Sequence, residues 1–346
     1  MPASTGMQNK HSNNFGWLRL VAAFCVLVSH SYGILNIGLR QPQLKIGTTN
    51  YILSDLGLYI FFTISGYLVT KSFLDAQSVW QYAWKRFLRI VPALAVVNVA
   101  CVIMGAFITS LPVGSYFTNP LTALYFFKNS TLVVNQFVLP GVFTSLHEPS
   151  VNASIWTILV EVKFYVLLAI AGMVTLLNRK LAMLLLFAAT LISGHYILKT
   201  GNAIWSGIDV AMYLNFGVYF FLGCLFWLLR HTVLLKWYWL LIALLFLLIS
   251  INTPLQFFAT ALLGSYTFLF IGQQKEWFHL SGNDFSYGFY LYAFPVQQLV
   301  LLYGSYSMSV WLHIGISSSI TFILAVASWK FVEQPALAKK DCFIKK

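Results

Sequence analysis

Apolar residues in this chain recur in uninterrupted runs, and most of the runs approach the roughly 20 residues that a helix needs to cross a hydrocarbon core. In lipid every backbone amide must find its partner within the protein, so such runs form helices. The short alternating segments of a transmembrane barrel are not seen. The runs fall at 15–37, 51–71, 90–110, 154–177, 181–198, 208–229, 237–251, 254–271, 285–304 and 310–330. The expected fold is therefore all-α, a polytopic transmembrane bundle of about ten helices. Composition agrees, since only 9% of residues are charged, against about a quarter in soluble domains.

A net charge of +12 could suggest nucleic acid, but the placement of the basic residues argues for topology instead. With the N-terminus in the cytoplasm, only Arg40, Lys45, Lys128 and Lys199 fall outside the cell, and Arg19 and Lys163 lie within spans. Both ends are then cytoplasmic. The organisation expected is a tail over 1–14, one membrane domain over 15–332 and a basic cytoplasmic tail over 333–346. The one long connection, 111–153, is rich in Pro and aromatic residues and is expected to fold over the outer mouth. Neither a zinc-type Cys/His spacing nor a disulfide framework is visible, so no metal is implied.

Ionisable groups inside a membrane helix cost a few kcal/mol each on insertion scales, so the few present are the functional candidates. Arg19 and His30 share one face of the first span, about 16 Å apart along its axis. Glu161, counted inward from Ser154 at the outer surface, is expected at the depth of His30. A hydrogen bond between them would fix the imidazole tautomer for general-base work on a hydroxyl. Arg86 and Arg89, three apart at the start of the third span, are helix neighbours that suit phosphate oxygens. Ser65 and Gly66 in the second span allow close helix approach. Asp55, Asn152 and Trp156 are the candidate acceptor contacts near the outer end. A transporter or flippase using His30 and Glu161 as a proton relay is the alternative, although the inverted repeats that would support it are not visible.

The order of short motifs resembles the acyltransferase-3 family of bacterial integral membrane acyltransferases. Arg19 to His30 is similar to that family's Arg-x10-His signature, FFTISGYL at Phe61–Leu68 to its FFxxSGFL motif, and Arg86-Phe-Leu-Arg89 to its Arg-x-x-Arg pair. NASIWTILVE from Asn152 to Glu161, FSYGFYLYAFPVQ from Phe285 and SWKFVEQP from Ser328 resemble three further motifs, in the family's order. The resemblance implies an acyl-coenzyme A donor, with Arg19, Arg86 and Arg89 as donor-side residues, and a catalytic histidine at His30, with Glu161 on the acidic position of the NASIWTILVE motif. It also implies O-acetyltransfer to a hydroxyl of an envelope glycan or glycolipid, such as lipopolysaccharide or exopolysaccharide, at the bacterial inner membrane. The acceptor and the oligomeric state are left open. Two positions depart from the pattern. Tyr59 stands where many members carry Asp, with Asp55 one turn away. Ala293 precedes Phe294-Pro295 where a histidine is common.

Overall fold

The computed structural model describes residues 13–47, 49–174, 204–205, 208–233, 235–275 and 283–340, together with 185, 188, 277 and 342. The described chain is mainly helical. Helix α1 (Phe15–Ile34) leads through a short hairpin, β1 (Gln43–Ile46) and β2 (Thr49–Ile52), into α2 (Leu53–Leu74) and α3 (Val79–Ile108). Then come α4 (Val113–Thr118), α5 (Pro120–Thr131), α6 (Trp156–Met173), α7 (Val210–Leu228), α8 (Trp237–Ser250) and α9 (Gln256–Gln273). Helices α10 (Ser286–Tyr303) and α11 (Val310–Ser328) follow, and a π-helical turn (Trp329–Glu333) joins α11 to a last short helix, α12 (Gln334–Leu337).

Each expected span falls on one of these helices, apart from 181–198, most of which lies outside the described residues, as do both chain ends. Among the described residues, Phe15–Ile34, Leu53–Leu74, Val79–Ile108, Ala153–Met173 and Val310–Leu337 are long and apolar enough to cross a membrane. This is an integral membrane protein. The third helix begins well before the expected position 90, because Ser78 caps it by accepting the Gln81 amide at 3.2 Å. Hydropathy detects only the lipid-immersed part of such a helix. At the other end of the chain, Glu333 is buried and α12 packs against α3, so the folded body continues past 332.

Small residues set the central packing. Gly66 abuts the Phe220 carbonyl of α7, and Gly223 abuts the Thr63 carbonyl of α2, so these helices touch backbone to backbone. Gly57 lies against the Ala22 carbonyl of α1. The Phe15 and Tyr67 rings, 5.9 Å apart, fix the same antiparallel register between α1 and α2. We call the end holding Phe15 and Trp329 basal, and the end holding His30 distal.

The 111–153 connection is folded rather than loose. Tyr116 donates to the Val102 carbonyl at 2.9 Å, and Asn98 bonds Ser130 at 3.1 Å, holding α4 and α5 on α3. Leu146 and Ala153 pack on the distal cluster of Ile34, Leu35, Phe294 and Leu301. The Gln298 amide donates to the carbonyls of Glu148 and Ser150, both at 2.7 Å. The segment then dips into the bundle before α6 begins. Pro295, inside α10, has no N–H for the Leu291 carbonyl one turn back. Asn152 supplies it, its side-chain amide reaching that carbonyl at 2.9 Å.

Candidate active site

Helices α1, α2, α3, α6 and α10 converge on one cavity of about 300 Å³ in the basal half of the bundle, which Trp329 and Leu337 also line. Helix α1 contributes Arg19, α3 contributes Arg86 and Arg89, α2 contributes Ser65, and α6 contributes Glu161 and Tyr165. Asp284, just ahead of α10, completes the polar wall. Leu58, Phe61, Phe62, Ile158 and Tyr290 line its apolar distal part.

The three arginines are not equivalent. Arg19 and Arg89 share one carboxylate oxygen of Asp284, at 2.9 and 2.6 Å, and Arg89 also lies 3.7 Å from Glu333. Burial alone would push the Asp284 carboxyl up, but the two guanidiniums outweigh it and hold it below the usual carboxylate range. Arg86 instead donates to Ser72 at 3.2 Å and lies over the Tyr165 ring, 5.8 Å from its centre. It has no carboxylate partner among the described residues. Arg86 therefore presents its planar guanidinium fork to a cavity that it shares with Glu161, without a carboxylate at ion-pair distance among the described residues.

Glu161 accepts hydrogen bonds from the Ser65 hydroxyl, at 2.6 Å, and from Tyr165 one turn along α6. The expected hydrogen bond between Glu161 and His30 does not form. Helix register gives the reason. Gly57 is level with Ala22, and Ser65 lies eight residues further toward the basal end, or about 12 Å. Glu161, bonded to Ser65, therefore lies at or basal to the level of Arg19, which is itself about 16 Å below His30 along the bundle axis. The depth count began from Ser154 as a surface residue, whereas Ser154 is buried and its carbonyl accepts from Tyr290 of α10 at 2.9 Å.

His30 lies at the distal end of α1, its ring edge-on to Phe294 with centroids 5.2 Å apart. Its Nδ1 is buried without a hydrogen-bond partner among the described residues. It is not on the wall of the cavity, whose distal lining residue Tyr290 stands one turn basal to Phe294 on α10. The other expected site residues have structural partners. Asp55 caps α2 by accepting the Ile52 amide at 3.2 Å. Asn152 is fully buried and serves the Leu291 carbonyl, while the Trp156 ring packs on Phe216 at 5.9 Å. Tyr59, at the position where Asp is common, stacks on Tyr219 with centroids 3.9 Å apart, and its hydroxyl accepts from Asn215. Lys163 donates to the Tyr213 hydroxyl at 2.8 Å.

Sequence reasoning missed Asp284, Tyr165 and Glu333. A signal was available for two of them. Asp284 and Glu333 are acidic residues at the edges of the last two spans, in a chain with only nine Asp and Glu, and three costly arginines need counter-charges.

The family model described as an acyltransferase domain matches residues 13–330. Nodulation protein 10 of Rhizobium leguminosarum bv. viciae is 28% identical, over 98% of this chain and 98% of that protein. The O-acetyl transferase of Shigella phage Sf6 is also 28% identical, over 95% of this chain and 97% of its own length. No solved structure matches significantly. A bundle with an arginine-lined cavity at one end of its first helix and a histidine at the other, matched by that model over nearly its whole length, belongs to the acyltransferase-3 family and is a membrane O-acyltransferase.

Proposed function

We propose that the chain transfers an acyl group, acetyl in the simplest case, from acyl-coenzyme A to a hydroxyl of an envelope glycan or glycolipid. In this reading the basal end faces the cytoplasm of a bacterial inner membrane. The donor enters there, and its phosphates bind at Arg86 and at the Arg19 and Arg89 pair. The observation that carries the reading is Arg86, a cavity guanidinium with no carboxylate partner among the described residues. Phosphate oxygens are the ligands its planar fork fits best.

The distances support a donor that runs along the bundle. Twelve bonds separate the phosphate oxygen of coenzyme A from its sulfur, and an extended chain gains about 3.5 Å for every three, or roughly 14 Å. That carries a thioester from the arginine level past Tyr290 toward Phe294. The His30 side chain leans back toward the N-terminal, basal end of its helix, as helical side chains do, which shortens the remaining step. His30 then acts as the general base on the acceptor hydroxyl at the distal end, and Glu161 holds its place among the cavity arginines through Ser65 and Tyr165.

The test is genetic and chemical. In a strain lacking the gene, base-labile O-acyl groups on purified envelope glycans are compared by NMR after complementation with the wild-type or His30→Ala gene. Loss of esters from one glycan, restored by the wild type alone, supports the reading and names the acceptor. Unchanged glycans, or full restoration by His30→Ala, would count against it.

A further inference from the structure

One face of α11 does not fit a helix that only packs. His313, Ser317 and Thr321 follow each other at four-residue spacing, so they form a stripe along the axis, and each has zero exposure. The Ser317 and Thr321 hydroxyls and the His313 Nδ1 have no hydrogen-bond partner among the described residues. Serine and threonine in membrane helices commonly bond back to a carbonyl of the preceding turn. Ser318 and Ser319 of the same helix do so, both to Gly315, as do Thr260, Thr267 and Ser250 elsewhere. Ser317 and Thr321 do not, and their stripe faces α10, where His313 meets the Gln297 carbonyl and Ala325 packs on Gly288.

The other unpartnered groups on α1, α10 and α11 are mostly acceptors. The Gln297 amide nitrogen is committed to the Leu27 carbonyl at 2.7 Å and the Ser31 hydroxyl at 2.6 Å, which leaves its oxygen buried and unpartnered. His313 Nε2 lies 3.1 Å from the Gln297 carbonyl and so carries the proton, leaving Nδ1 as an acceptor. His30 Nδ1, on the α1 turn beside Ser31, is unpartnered as well. The two hydroxyls can donate to only two of these groups, and water, with two donors of its own, can serve the rest. Neighbouring side chains in the stripe are about 6 Å apart along the axis, close to two hydrogen bonds end to end, so one water spans each step.

We propose that the seam between α1, α10 and α11 binds a file of internal waters that links His30 to His313, Ser317 and Thr321 and conducts a proton toward the basal cavity. The stripe continues in that direction. Ala325, the next residue on the face, packs on Gly288, and Ser328 beyond it donates to Glu333 at 3.0 Å. Glu333 in turn lies 3.7 Å from Arg89 on the cavity wall.

The proton role rests on the acyl-transfer reading given above. In that reaction the hydroxyl O–H and the thioester C–S bonds break, the ester C–O bond forms, and the hydroxyl proton ends on the thiol sulfur. His30 takes the proton at the distal end, while coenzyme A thiol leaves through the basal end. A water file running the same way returns the histidine to its neutral form for the next cycle.

The experiment uses the full chain in nanodiscs, comparing wild type, the double variant Ser317→Ala/Thr321→Val and Ser318→Ala. Radiolytic labelling in H2(18)O reports water beside buried side chains, and acetyl transfer from acetyl-CoA is timed in parallel. We expect 18O incorporation at His313 in the wild type and its loss in the double variant. Positioned proton transfer contributes roughly 10²- to 10⁴-fold, so transfer by the double variant should fall at least about tenfold. Its unfolding temperature should hold, since the substitutions remove no hydrogen bond to a protein partner. Ser318→Ala should match wild type in every readout. An unlabelled His313 in the wild type, or full-rate transfer by the double variant, overturns the proposal. A wild type that labels at His313 but transfers no acyl group overturns the acyl-transfer reading and the proton role with it, and leaves the water site standing.

Discussion

Replacing Asp284 by Asn should destabilise the protein and, at the same time, make it respond more strongly to phosphate ligands. Its carboxylate is the shared counter-charge of two buried guanidiniums, at 2.9 and 2.6 Å, with its side chain 14% exposed. Removing one partner of a buried ion pair costs about 3–5 kcal/mol, because the charge left behind is uncompensated. Arg89 keeps Glu333 at 3.7 Å and Arg19 still feels the Glu161 carboxylate in the same cavity, so the lower end, about 3 kcal/mol, is expected. The assay is thermal unfolding in detergent or nanodiscs, with and without adenosine 3′,5′-bisphosphate as the donor's phosphate-bearing half. The variant should melt several degrees below wild type. The ligand should raise its midpoint more than that of wild type, because a phosphate takes the place vacated by the carboxylate and stabilises by RT ln(1 + [L]/Kd). The stabilisation by Asp284 has a defined pH sign. Its folded pKa is depressed, so the contribution is complete above the unfolded value of about 3.9 and disappears as pH falls through the folded one. A variant that melts with wild type at neutral pH, or gains nothing extra from the ligand, would refute the reasoning.

Three further outcomes follow from the same geometry. Arg86→Lys keeps the charge but loses the fork, so donor affinity should fall while the fold and its unfolding temperature hold, as a titration with coenzyme A would show. Asn152→Ala leaves the Leu291 carbonyl buried beside Pro295 without a donor, and should cost about 1–3 kcal/mol in unfolding free energy. Gly66→Ala pushes a methyl into the Phe220 carbonyl and should destabilise by about 1–3 kcal/mol or more, read as a lower melting temperature and separation of α2 from α7.

Much of this molecule can be read from residue order, and the limits are physical. Apolar run length located the helices because lipid leaves the backbone no other partner, and the spacing of Arg86 and Arg89 placed both on one face of α3. Depth was harder. A count inward from Ser154 takes that residue to be at the membrane surface, and nothing local in the sequence reveals that Asn152 is drawn inward to serve a carbonyl freed by Pro295, 143 positions later. With Asn152 on that carbonyl and Ser154 buried under Tyr290, Glu161 enters the bundle near the level of Arg19 rather than that of His30. Asp284 escaped notice for a related reason. Its role exists only where α1, α3 and the approach to α10 meet, and a local pattern does not encode that meeting. The stripe on α11 could be seen as His313, Ser317 and Thr321 at helical spacing, but only the three-dimensional partners separate an unsatisfied hydroxyl from one that bonds back to its own helix.

The division of labour between the two ends of α1 is the centre of the account, and one comparison tests it directly. Coenzyme A binding and acetyl transfer are measured side by side on wild type, Arg86→Ala and His30→Ala in nanodiscs. Arg86→Ala should lose both binding and transfer, while His30→Ala should bind coenzyme A as wild type does and transfer nothing. Wild-type binding by Arg86→Ala, or transfer at the wild-type rate by His30→Ala, would contradict it.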